Sequence, residues 1–291
     1  MDDATPSTDG VVRPHLVGLP VYKMTGSGND FVMVDGRVST PEDWVADDIR
    51  AACARGTGVG ADGVVFVLAG SAPGAVRMVY FNSDGSHAAM CGNAALCCTH
   101  LAAHLGVAPA DGMRLETDAG VYESRCASDG GRAELHLAAV ESPVAVPDIE
   151  LEPGGGEQRL ALGVVGVPHL VVVVDDVERV PLTTRGRTLR FHAALAPHGA
   201  NINFVSQARG SAEWRMRTYE RGVEGETLAC GTGAVAAACA LSQWGLARLP
   251  TVFLTSSGRR LDVRAVRTAD ERYDDVWLGG EARMVFRGVL T

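Results

Sequence analysis

The sequence predicts an α+β protein of two pseudo-symmetric halves. Each half is read as a curved, mostly antiparallel sheet wrapped around one buried central helix, with an active-site cleft between the halves. Three observations carry this prediction. Segments 93–105 (NAALCCTHLAAHL) and 232–244 (TGAVAAACALSQW) are Ala-rich and apolar around most of their circumference, and a helix apolar on nearly every face belongs inside a protein. The two segments sit in matching frames: Cys91 precedes Gly106 by 15 residues, and Cys230 precedes Gly245 by 15. The rest of the chain reads as short β-rich runs.

Those runs, in order, are VVFVL (64–68), VRMVY (76–80), HLVVVV (169–174), INFV (202–205), WRMRTY (214–219) and TVFL (251–254), bounded by Gly, Asp and Ser turns. The repeat extends beyond the helices. Met78 to Asn82 stand 13 to 9 residues before Cys91, and Met216 to Glu220 stand 14 to 10 before Cys230. LETDAG ends at Gly120 and FLTSSG at Gly258, 14 and 13 residues past the helix-ending glycines. A duplication of this length is a whole domain, longer than a solenoid repeat. The expected division is residues 21–143 and 144–280, parted at the ESPVAVP stretch, with the last strand (281–291) returning to the first half. Residues 1–20 are expected to be a loosely ordered extension.

With 26 basic and 35 acidic residues the net charge is −9, which weighs against a nucleic-acid surface. The longest apolar run, LVVVV at 170–174, is far below the roughly 20 residues a membrane helix needs. The opening MDDATPSTDG has no basic and apolar signal pattern. Seven cysteines, an odd number, then predict a cytoplasmic protein with reduced thiols.

Two of those thiols carry the chemistry. Cys91 and Cys230 each lie where the chain enters its helix, in MCGNAA (90–95) and ACGTGA (229–234), followed by Gly92 and Asn93 or Gly231 and Thr232. A helix N-terminus presents unpaired N–H groups and partial positive charge, which favour a thiolate and bind an anion. Pseudo-twofold symmetry would turn both thiols toward one α-carbon whose carboxylate rests on both sets of amides. A thiolate on one face and a thiol on the other would invert that carbon without a cofactor. A single cysteine in such a place is more often a small buried hydrophobe, and it is the repeated frame that favours function here. Cys97, Cys98 and Cys239 fall inside the apolar helices and read as core, while Cys53 and Cys126 have no supporting context.

Two other patterns are set aside. GVGADG (58–63) is a G-x-G-x-x-G string, but a strand follows it where a dinucleotide fingerprint requires a helix. His100 and His104 share a helix face at a metal-pair spacing, without a third ligand spaced with them.

KMTGSGNDFVMVD (23–35), GVGADG (58–63), FNSDGSHAAMCGNAA (81–95), GVPH (166–169), GANINFV (199–205) and YERGVEGETLACGTGA (219–234) resemble the signature segments of the diaminopimelate epimerases. They occur in that family's order and cover the chain from about residue 21 onward. The resemblance implies a PLP-independent epimerase that converts LL- to meso-2,6-diaminopimelate for lysine and cell-wall synthesis. It implies Cys91 and Cys230 as base and acid, with Gly92, Asn93, Gly231 and Thr232 holding the α-carboxylate. Asn29, Asn82, Asn201, Glu220 and Arg221 match substrate contacts, and His169 and Glu226 are further candidates. Glu220 suits an ammonium and Arg221 a distal carboxylate. The chain departs from the common pattern at Val167 (often Asn), Gly63 (often Gln) and Thr25 (often His), and ERGVEGE is one residue longer. The expected partner is a small diamino dicarboxylic acid, with a homodimer as the candidate assembly. Two alternatives stay open: a racemase of another amino acid, and a non-catalytic switch in which Cys91 and Cys230 form a reversible disulfide.

Overall fold

The computed structural model describes residues 13–128, 130–207 and 210–291. They form two compact units, one reaching to Ala133 and regaining Ala282–Thr291, the other spanning Glu134–Glu281. The units therefore part ten residues ahead of the expected boundary at residue 143. Of the expected loose extension, residues 1–12 lie outside the described residues. From Arg13 onward that expectation is corrected: Arg13 ion-pairs with Asp48, Leu16 is buried, and the first strand begins at Pro20.

In chain order the first unit holds β1 (Pro20–Gly26), β2 (Asn29–Asp35), α1 (Ala46–Cys53), β3 (Gly63–Ala69), β4 (Ala75–Asn82), β5 (His87–Ala88), α2 (Gly92–His104), β6 (Met113–Thr117) and β7 (Gly120–Cys126). After β8 (Arg132–Leu137) and β9 (Val140–Glu141), the second unit continues with β10 (Glu157–Val165), β11 (Val167–Val174), α3 (Leu182–Arg190), β12 (Asn201–Gln207), β13 (Trp214–Glu220), β14 (Gly225–Thr227), α4 (Gly231–Gln243), β15 (Thr251–Thr255), β16 (Arg260–Arg267) and β17 (Arg272–Glu281). The last strand, β18 (Arg283–Val289), pairs antiparallel with β1.

The duplication read from the helices holds strand by strand. β1–β2 and β10–β11 are antiparallel, and β2–β3 and β11–β12 are parallel. β3–β4 and β12–β13 are antiparallel, β4–β6 and β13–β15 parallel, β6–β7 and β15–β16 antiparallel. Each parallel pair needs a crossover: α1 and α3 supply the first in each unit, α2 and α4 the second.

Nine of the 13 residues in α2 and nine of the 13 in α4 are buried, so both helices are enclosed on every face. Alanine makes this enclosure workable, because its short side chain lets a sheet approach the helix from several directions. Gly106 (φ +66°) and Gly245 (φ +69°) end the two helices in the left-handed region. The amides of Val107 and Leu246 then reach back to the carbonyls of Ala102 and Leu241, both at 2.9 Å. The equal 15-residue frames thus record one helix start and one glycine stop, used twice.

GVGADG lies between α1 and β3. Gly58, Gly60 and Ala61 donate to the carbonyls of Ala54, Ala52 and Cys53, closing the C-terminal end of α1. A Cβ on Gly58 would come within 2.0 Å of the Ala51 carbonyl oxygen. Its glycines are needed for this wrap, and a strand follows it, as the sequence indicated. No helix among the described residues is long and apolar enough to cross a membrane.

Candidate active site

Each unit presents its cysteine at a helix N-cap. Cys91 is extended (φ −143°, ψ 121°) and its carbonyl accepts from Ala95 at 2.9 Å; Cys230 is extended (φ −128°, ψ 103°) and accepts from Ala234 at 3.0 Å. The amides of Gly92 and Asn93, and of Gly231 and Thr232, therefore belong to first turns that have no intrahelical acceptors. Cys91 is partly exposed and Cys230 is buried. Thr232 Oγ1 lies 3.9 Å from the Cys230 sulfur.

In the first unit, Asn29 opens β2 and Asn82 closes β4. Asn29 is held at both ends of its amide: Nδ2 donates to Asp62 Oδ2 at 2.9 Å, and Oδ1 accepts from Asn93 Nδ2 at 2.7 Å. Asp62 is gripped in turn by Arg55, which also pairs with Asp30. This chain of contacts ties the first turn of α2 to β2. Asp62 and Arg55 were not singled out by sequence reasoning, although Asp62 stood inside the GVGADG string. Asn82 Nδ2 donates to Ser86 Oγ at 3.0 Å.

Gly63 starts β3 beside these residues. A Cβ there would meet the Phe81 carbonyl oxygen at 2.3 Å and Tyr80 Cε2 at 2.5 Å. The Tyr80 ring therefore takes the room a longer residue would need. This is the local reason why glycine stands at that position.

In the second unit, Asn201 opens β12 and its Oδ1 accepts the Arg221 amide at 2.8 Å. Glu220 ends β13. Burial raises the Glu220 pKa above its ordinary 4.5, so a cation placed beside it would be bound strongly. Glu226, in β14, is already engaged: Arg217 grips it at 2.7 and 2.8 Å, and Ser256 donates to it at 2.7 Å. The Arg217 hydrogen bond keeps its carboxyl below the ordinary value.

His169 lies in β11 with 0% exposure. Its Nδ1 is 3.3 Å from Asn203 Nδ2, and Asn203 Oδ1 accepts from Thr218 Oγ1 at 3.0 Å. An Asn amide nitrogen can only donate, so Nδ1 is the acceptor and the neutral ring carries its proton on Nε2. Burial, reinforced by the charge of Arg221, lowers the His169 pKa from 6.5 to about 3.

The sign of its effect on stability follows. Unfolding lets His169 take up a proton below its ordinary value, so the stability it supports is complete above pH 6.5 and is lost as pH falls toward 3. Urea midpoints measured between pH 7 and 4 should fall, and His169→Phe should flatten part of the fall. An unchanged slope in the variant would contradict this assignment.

The chain matches the diaminopimelate epimerase family model over residues 21–141 and 163–273. The chain belongs to the diaminopimelate epimerase family. It is accordingly an isomerase. It is 46% identical over 279 residues to a diaminopimelate epimerase of Gemmatimonas aurantiaca, covering 92% of this chain and 98% of that protein. It is 38% identical to one of Aquifex aeolicus, covering 93% and 97%. Among solved structures, a PhzF-family phenazine biosynthesis protein of Bacillus anthracis matches with a TM-score of 0.71 at 15% identity, covering 94% of this chain and 99% of that one. A probable proline racemase of Agrobacterium radiobacter with bound carbonate matches at 0.64 and 18% identity, covering 94% and 93%. At such identities these two likenesses concern the fold alone, a two-domain, sheet-dominated α+β architecture. The epimerase family supplies the chemistry to be tested on Cys91 and Cys230.

Proposed function

We propose that this chain converts LL-2,6-diaminopimelate to the meso form without a cofactor. One cysteine of the Cys91 and Cys230 pair acts as thiolate base and the other as thiol acid. The base takes the α-proton and the acid returns a different proton to the opposite face, and their roles exchange for the reverse reaction. The observation that carries this reading is the duplicated N-cap: in each unit a cysteine stands at the N-cap of a largely buried helix whose first amides have no intrahelical acceptors.

In this reading the amides of Gly92, Asn93, Gly231 and Thr232 hold the substrate α-carboxylate and stabilise the charge that builds on it in the transition state. Glu220 pairs with an ammonium, which relieves the burial that raises its pKa. Arg221 takes the distal carboxylate, and Asn29, Asn82 and Asn201 complete the polar lining. Glu226 serves indirectly by holding Arg217, and His169 serves from the core. The reaction places the enzyme in the cytoplasm, in the synthesis of lysine and of cell-wall precursor. A homodimer would cover Val285, Phe286 and Val289, which β18 leaves exposed.

Incubating the reduced enzyme with LL-diaminopimelate and resolving the stereoisomers by chiral chromatography tests the reading. Accumulation of the meso form until the two stand in equilibrium is the expected result. Inertness toward this substrate, with inversion of another amino acid such as proline, would replace the substrate and keep the reaction class.

A further inference from the structure

The two units share a frame but not the material beneath their catalytic helices. Strand register puts Phe31 beside Gly63 and Val65 opposite Tyr80 in the first unit. The same register in the second unit puts His169 beside Asn201 and Asn203 opposite Thr218. Phe31, Val65 and Tyr80 thus occupy the places of His169, Asn203 and Thr218. The first trio is packed chiefly through apolar surface, with Phe31 and Tyr80 edge to face at 6.0 Å between ring centroids. The second is a buried hydrogen-bonded chain, running from Thr218 through Asn203 to His169.

A second difference falls three residues after each cysteine, where Ala94 stands in α2 and Gly233 in α4. A Cβ on Gly233 would lie 2.2 Å from Asn203 Oδ1 and 3.0 Å from the Cys230 sulfur. The amide oxygen and the thiol therefore border the same small space, which only glycine leaves free. Asn203 cannot swing out of the way, because one end of its amide is fixed by His169 and the other by Thr218. Held at both ends of its amide inside the core, Asn203 keeps one arrangement.

We propose that Asn203 is a positioning residue for the Cys230 thiol, and that the Asn203–Gly233 contact makes the two thiols of the duplicated frame unequal. Asn203 forms the back wall of the sulfur's seat and restricts its rotamer, while the matching strand position in the first unit is held by the apolar Val65. The catalytic consequence rests on the epimerase reading, but the seat itself is measurable without substrate.

The test is Asn203→Val, which installs the residue found at the matching place, Val65. Iodoacetamide alkylation, followed peptide by peptide in the mass spectrometer, should modify Cys230 at least about fivefold faster in the variant and leave Cys91 within twofold. Turnover should fall at least about tenfold with KM within threefold, because the defect lies in the aim of an acid or base and not in substrate binding. Thr218→Val, a gentler loss of one hydrogen bond from the same chain, should move both readouts in the same direction by less, and decides the matter if Asn203→Val does not fold. Equal changes at both cysteines, or no change at Cys230 in a folded variant, would overturn the proposal. Faster alkylation of Cys230 in a protein whose wild-type form shows no epimerase activity would uphold the seat and refute the assigned reaction.

Discussion

Cys91→Ala and Cys230→Ala should each lower turnover by at least about a hundredfold, the scale on which positioned acids and bases contribute. Neither change should disturb folding. Cys91 is partly exposed at the start of α2, and Cys230, although buried, is a small side chain whose loss leaves the helix frame intact. Both helices start from an extended N-cap residue and stop at a left-handed glycine, and neither feature needs a thiol. The loss must be similar for the two variants, since inversion requires a proton to leave one face and another to arrive at the opposite one. Retention of a tenth of wild-type turnover by either variant would sink a two-thiol mechanism. Circular dichroism melts of both variants would confirm that the fold survives.

Glu220→Gln should weaken kcat/KM for diaminopimelate by about 10- to 100-fold, since a hydrogen bond to a charged group is worth roughly 1.5–3 kcal/mol. The same change should stabilise the free protein at neutral pH. Burial raises the Glu220 pKa in the folded state, so the folded protein holds that proton more firmly than the unfolded chain does. Stability is therefore fullest below pH 4.5 for this group and declines as pH rises through the raised value. An uncharged glutamine removes the decline. A variant with lower kcat/KM and a higher urea midpoint at pH 7.5 is the expected result. A lower midpoint together with unchanged kcat/KM would show that Glu220 is an ordinary structural carboxylate.

Much of the architecture was legible because the informative residues act locally. The two apolar segments and their closing glycines, Gly106 and Gly245, read directly as helices with matched ends. α1 and α3 were not legible. α3 is LTTRGRTLR, with Thr and Gly in its body, and Gly186 serves packing: a Cβ there would lie 2.7 Å from that of Tyr219. Its helical state is set by the sheet it covers, which no window of sequence contains. The ordered start at Arg13 was missed for a similar reason, because its anchor, Asp48, lies 35 residues away.

The candidate site shows the same division. The cysteines, the residues that follow them and the charged pair Glu220 and Arg221 at the end of β13 were visible as motifs. Asn203 was hidden inside INFV, which reads as an apolar strand, and it has meaning only beside Thr218 and His169. Asp62 was hidden in a glycine string whose obvious reading was a nucleotide loop. Gly63 looked like a missing side chain until the Tyr80 ring was seen in its place.

The most direct test of the two-thiol mechanism is the early time course of LL-diaminopimelate with wild-type enzyme in D₂O, followed by proton NMR and mass spectrometry. Two opposed thiols should give meso product carrying one deuterium at the inverted α-carbon, while the remaining LL substrate stays unlabelled. Deuterium entering the LL substrate ahead of inversion, or meso product retaining its original α-proton, would point to a single base on one face and contradict the mechanism.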